Sequence, residues 1–459
     1  MQLSECFSWM KLLQLWLGCC AAFSLVVLLS GCSEPPEFRL NAVESRRQEI
    51  TALNGEKFAE PQIANLGDLM TALFGTPDKP IFPYELLEEP DDGRALVSLD
   101  RLKIAAGPVK SDQHGKPQGL YREHCAHCHG VTGDGLGPTA ATLNPYPRDF
   151  RMGKFKYKST PLGSPPTRDD LRRILVNGIP GTAMPSFRLL QKQDPTLAAH
   201  LQPAVDADGN PASIDNADSV SGDELADDEL EALVDYVIYL SIRGQVERVL
   251  LGELTALEAT DRLLEIELAN SKEDEDLDNF NAQLDILYGV VIDETGPWID
   301  VNLDQKVLAD RPAALALNSD QRQAMIDRGR ELFLGKANCH SCHGPSGMGD
   351  GQTDKYDAWT EEWMNVVKDS PELLKEFEAL GVLPARKLQP RNLRQGVFRG
   401  GQRPIDLYVK IKYGIDGTPM PGAPGNMPEE DVWAIVEYVR QLHQESDTVA
   451  KPVNDRVVD

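Results

Sequence analysis

Two short runs carry chemistry in their spacing, Cys-Ala-His-Cys-His at Cys125–His129 and Cys-His-Ser-Cys-His at Cys339–His343. Each is followed at once by glycine, Gly130 and Gly344. Two thiols three positions apart on a helical turn, Cys125 with Cys128 or Cys339 with Cys342, can each add to one vinyl group of a porphyrin. The histidine directly after the second cysteine, His129 or His343, then lies under the iron as its proximal ligand. Four thiols in C-x-x-C…C-x-x-C order could instead gather around zinc, but that arrangement leaves both histidines without a part. The expected cofactors are two covalently bound c-type haems, each carrying an iron.

The frames around the motifs repeat. A short amphipathic helix precedes each, Gly-Leu-Tyr-Arg-Glu-His from Gly119 and Gly-Arg-Glu-Leu-Phe-Leu from Gly329. A glycine-rich loop follows, and then Pro-Arg-Asp-Phe-Arg (Pro147–Arg151) against Pro-Arg-Asn-Leu-Arg (Pro390–Arg394). Further on, Gly178 and Gly414 open Gly-Ile-Pro-Gly-Thr-Ala-Met-Pro and Gly-Ile-Asp-Gly-Thr-Pro-Met-Pro. Closing helices are expected from near Asp223 and Glu429. The first copy has extra residues from about Leu189 to Gly222, polar and acidic. The second has an insertion before Pro390, read as one helix through Ala358–Leu380 with Trp359, Trp363 and Phe377 as its own core.

This order closely resembles class I cytochrome c, an all-α family with a helix, C-x-x-C-H, a loop, a Met-Pro pair and a closing helix. The resemblance covers roughly Gly115–Gly244 and Gln321–Gln444. It implies Met184 and Met420 as the distal ligands opposite His129 and His343. A neutral thioether stabilises Fe(II) relative to a second imidazole and suits electron carriage. Met348, Met427 and Met152 are the competitors, but none shares a repeat position with a partner. Arg148 and Arg391 do share one, and a guanidinium there could hold a haem propionate bidentately. By resemblance the Pro138 carbonyl takes the proximal imidazole N–H, with Gln352 in the corresponding place of the second copy. The remaining histidines do not align between copies and read as surface residues.

The eight cysteines divide between the four motif thiols and the apolar N-terminus, leaving none over for a disulfide. That N-terminus, apolar over Leu12–Leu29 behind Lys11, ends in Leu29-Ser30-Gly31-Cys32, which resembles a bacterial lipobox. Cleavage before Cys32 with lipid on its sulfur, or an uncleaved anchor, both place the rest outside the cytoplasm on a bacterial membrane. The formal charge of −26 disfavours nucleic acid and anionic headgroups, and favours basic or positively patched protein partners. The expected divisions are signal 1–31, N-terminal extension 32–114, domain 1 at 115–244, connector 245–320, domain 2 at 321–446 and tail 447–459. The extension reads as a tether that wraps onto domain 1, with a helix over Leu66–Phe74. The connector reads as an amphipathic helix over Glu247–Glu267, an acidic run and a short strand around Trp298–Val301.

No residues form a recognisable acid–base or nucleophilic arrangement, so no catalytic residue is expected. The function expected is single-electron carriage in a respiratory chain, between a membrane donor and an acceptor protein. Two alternatives stand beside it: a di-haem peroxidase-type enzyme, and a cytochrome c subunit of a terminal oxidase or quinol-oxidising complex.

Overall fold

The computed structural model describes residues 36–113, 115, 117–187, 224–303, 317–352 and 354–444. The signal segment with Cys32, the acidic loop within 189–222, His114, His200 and the tail 447–459 lie outside these residues. The chain divides after Glu37, and the architecture below is that of the unit from Phe38 onward. Among the described residues it is helical, with two short antiparallel ladders, Gly75–Thr76 with Lys79–Pro80 and Lys110–Ser111 with Pro117–Gln118.

Four helices lie in the extension: α1 (Ala42–Thr51), α2 (Glu60–Phe74), α3 (Pro90–Leu96) and α4 (Leu99–Ala105). α2 ends at Gly75 as its sequence dictates, but starts earlier, with Pro61 tolerated in the first turn where its missing N–H costs nothing. The extension is folded along this length. Leu66, Phe74, Leu96, Val97 and Leu102 are fully buried in the same core as domain 1.

Around the first motif come α5 (Leu120–His124), α6 (Ala126–His129), α7 (Arg168–Asn177) and α8 (Glu224–Leu254). A closing helix and a separate connector helix from Glu247 were expected here; α8 is both in one, and stops at Leu254, short of Glu267. Gly244 does not break it. A Cβ there would meet Arg151 Cα at 2.3 Å, so the glycine serves close packing. α9 (Asp274–Asn302) then takes in both the acidic run and the segment read as a strand. Its acidic first turn suits the positive helix N-terminus. Leu287, Val291, Trp298 and Val301 form its buried stripe at helical spacing. Trp298 is sealed against Phe155, and its Nε1 donates to Gln245 Oε1 at 3.0 Å.

Domain 2 comprises α10 (Ser319–Leu334), α11 (His340–His343), α12 (Ala358–Val367), α13 (Pro371–Ala379), α14 (Pro404–Tyr413) and α15 (Glu429–Leu442). Asn318 and Gln321 cap α10 reciprocally. α10 crosses α15 at Gly329, where a Cβ would sit 2.0 Å from Ala434 O. The inserted helix is two, because Pro371 cannot continue α12 and instead opens α13 behind the Ser370 cap. Trp363, Val367 and Phe377 form the expected small core. Trp359 does not belong to it, and lies between the two haem-motif domains, against Arg148 and Gly417.

Candidate functional site

Both motifs close one helical turn, His129 N donating to Cys125 O at 2.9 Å and His343 N to Cys339 O at 3.0 Å. All four thiols are free. No group of three or more His, Cys, Asp or Glu among the described residues could hold a metal ion, so the thiols do not form a shared zinc site. Burial pushes Cys125 up to about 12 and Cys339 up to about 11, which keeps them as thiols here.

The proximal histidines share one arrangement. His129 Nδ1 lies 2.9 Å from Arg148 O, and His343 Nδ1 lies 3.0 Å from Arg391 O. A proton on Nδ1 leaves the Nε2 lone pair free for iron. Burial pushes His129 down to about 4, against the bond it donates to Arg148 O, and lowers His343 for the same reason. A neutral imidazole is the ligating form. Two expectations are corrected by this. The accepting carbonyl is that of the arginine in Pro-Arg-[Asp/Asn], not Pro138, and the Gln352 position does not set the second copy apart.

The methionine loops also match. Thr182 Oγ1 donates to Ile179 O at 2.8 Å and accepts from Met184 N at 3.1 Å. Thr418 Oγ1 does the same with Ile415 O at 2.7 Å and Met420 N at 3.2 Å. Gly178 and Gly414 end the preceding helices at φ +65° and +82°, where any Cβ would lie 2.8 Å from Met184 O or Met420 O. That approach explains the repeated glycine. Met184 and Met420 are half-buried. Met427 is core at 3% exposure, Met348 is exposed, and Met152 borders the cleft beside Arg148.

The arginine side chains face the seam between domains. Arg148 lies 3.3 Å above the Trp359 ring, and burial pushes it down to about 10 although Asp357 opposes this. Arg391 is lowered too, by burial and then by the Arg399 charge. Neither forms a salt bridge with a carboxylate among the described residues. Free thiol pairs beside neutral imidazoles fit a covalently attached porphyrin, and the two guanidinia are the cations that would meet its propionates. Of the spare histidines, His127 and His443 are exposed, His124 meets the Phe187 ring, and His340 Nδ1 is 3.4 Å from Phe333 O. Sequence reasoning missed Lys158, Asp416 and Arg399, which bind across the seam; the one visible signal was Asp416 breaking the repeat opposite Pro180.

Residues 326–443 match the family described as cytochrome c, and residues 112–201 match that described as cytochrome c oxidase, cbb3-type, subunit III. No curated protein matches the chain. A solved chain of the Kuenenia stuttgartiensis reducing HAO-like protein complex is similar at 19% identity and TM-score 0.40, covering 73% of this chain and 98% of its own.

Proposed function

From a chain that carries two cytochrome c domains, each with a covalently bound c-type haem, we propose a tethered extracytoplasmic electron carrier of a respiratory chain. Bound haem would supply one-electron redox chemistry. The chain's residues do the rest. Cys125, Cys128, Cys339 and Cys342 would hold the porphyrins, and His129 and His343 would ligate iron. Met184 and Met420 would be the second ligands, and Arg148 and Arg391 would hold propionates. The observation that carries this is the duplication of both half-sites, the His Nδ1-to-arginine carbonyl bond and the threonine-pinned methionine turn.

With Met184 and Met420 as ligands, neither iron would offer a position to peroxide. The oxidised protein should therefore show the weak near-infrared Met-to-iron band at an intensity for two haems. Met184→Leu and Met420→Leu should each halve it. The half-reduced protein should stay low-spin at both haems; a high-spin haem with rapid peroxide consumption would replace the carrier reading with an enzymatic one. The tether reading rests on Leu29-Ser30-Gly31-Cys32. Intact mass should give a mature chain beginning at lipidated Cys32, and a protein retaining residues 1–31 contradicts it.

A second reading, a cytochrome c subunit of an oxidase or quinol-oxidising complex, is favoured by the match of residues 112–201 to the oxidase subunit III family. Co-purification with integral membrane subunits under mild detergent separates it from a lone carrier.

A further inference from the structure

Each methionine loop is gripped from the opposite domain. On the Met184 loop, Arg399 Nη2 donates to Gly181 O at 2.9 Å. Arg391 lies on the same glycine, where a Cβ would meet its Nη2 at 2.7 Å. On the Met420 loop, Lys158 Nζ donates to Asp416 Oδ2 at 2.7 Å, and Gly163 N donates to that oxygen at 3.1 Å. The Lys158 side chain is only 3% exposed, so this is a desolvated ion pair whose partners are costly to separate. Beside it the Trp359 ring closes over Gly417, where a Cβ would come within 2.3 Å of the ring. Trp359 Nε1 donates to Asp149 O of domain 1 at 3.2 Å, and the Arg148 guanidinium covers its face.

The two sets of contacts correspond. Arg391, whose carbonyl fixes His343, touches the loop of Met184. Arg148, whose carbonyl fixes His129, reaches the loop of Met420 through Trp359. We propose that the seam is a reciprocal clamp, in which Arg399 with Arg391 positions the Met184 loop and Lys158 with Trp359 positions the Met420 loop. The ligand strength at each iron then depends on the other domain being docked. Arg399, Lys158 and Trp359 are positioning residues here and touch no iron. The proposal rests on Met184 and Met420 being ligands.

The test uses the full-length, haem-loaded protein. The two iron-bound methionine methyl signals of the reduced form are assigned by NMR with Met184→Leu and Met420→Leu. Imidazole binding to each oxidised iron is then measured. Arg399→Gln, made in domain 2, should shift the Met184 signal and raise imidazole affinity at the domain 1 haem roughly tenfold, the scale of one lost charged hydrogen bond. The Met420 signal should not move. Lys158→Met, made in domain 1, should do the converse at the domain 2 haem. Arg399→Lys and Lys158→Arg should restore the unsubstituted values in part, and they give the same crossed readout if the first pair does not fold. Substitutions that alter the haem of their own domain, both haems alike or neither would overturn the clamp. Absence of two methionine signals from the unsubstituted protein would overturn the ligand assignment instead, before any seam variant is read.

Discussion

At the scale of single residues, the sites are built as much from glycines as from ligands. Gly329 is the sharpest case, because the atom its Cβ would strike is a backbone oxygen, which cannot rotate away. In an exposed helix Gly→Ala gains about 1 kcal/mol. Here overpacking costs about 3 kcal/mol and wins. Gly329→Ala should therefore lower the thermal midpoint of domain 2, followed by its haem absorbance; an unchanged or raised midpoint would show that α10 and α15 can separate. Such residues were only half legible. The C-x-x-C-H and Gly-Thr-x-Met-Pro runs announce themselves because covalent chemistry and a tight turn admit few residue types. The carbonyl that orients each histidine was misplaced at Pro138, since every residue offers a carbonyl and spacing cannot choose among them. Its true source lay in Pro-Arg-[Asp/Asn], already visible as a repeat but read only for its side chain.

At the scale of elements, helices with a clear apolar period were readable and their joints were not. α15 stands where it was expected, from Glu429, whereas α2 and α10 keep their expected ends but begin earlier, at Glu60 and Ser319. α8 and α9 run past expected breaks because Gly244 and Pro297 are absorbed inside them. Trp298–Val301 read as a strand when cut from its stripe; taken with Leu287 and Val291 it is plainly helical. α1 shows how the extension is held. The Glu44 carboxylate takes Arg47 Nε at 2.8 Å and pairs with Arg248 of α8 at 3.1 Å. Burial alone would raise Glu44, but the Arg47 bond and the Arg248 and Arg47 charges outweigh it and hold the carboxyl below its ordinary 4.5. A depressed carboxylate stabilises fully above the unfolded value, and that stability is lost as pH falls through the folded one. Glu44→Gln should thus cost about 2 kcal/mol at pH 7, and the difference from the unsubstituted protein should vanish under strong acid. A constant difference across an acid series of thermal melts would show that Glu44 acts by shape, not charge.

At the scale of the whole molecule, the two halves are unequal. Domain 2 packs around its own core, whereas domain 1 shares one core with the extension and α9. No repeat comparison could reveal this, because the added helices have no counterpart in the second copy. The cations that the chain does possess are partly spent at the seam, on Asp357, Asp416 and the loop carbonyl of Gly181. With a formal charge of −26 the remaining surface should steer basic partners. Electron exchange with a basic acceptor protein should slow steadily as salt rises through the physiological range, while an acidic acceptor should show no such slowing. Stopped-flow exchange rates against ionic strength decide it.

The shared core of domain 1 also has a timetable. Phe74 O accepts the Tyr239 hydroxyl, and Ser98 N donates to Asp235 Oδ2 at 2.7 Å across 137 residues. The helices of the extension are synthesised first, yet part of their apolar surface is covered only once α8 has been made. Cys125 and Cys128 fall between the two. During biogenesis their thiols therefore emerge on a chain whose core is still open, with α8 and α9 yet to be made. Attachment of the first haem should therefore be easiest before α8 docks.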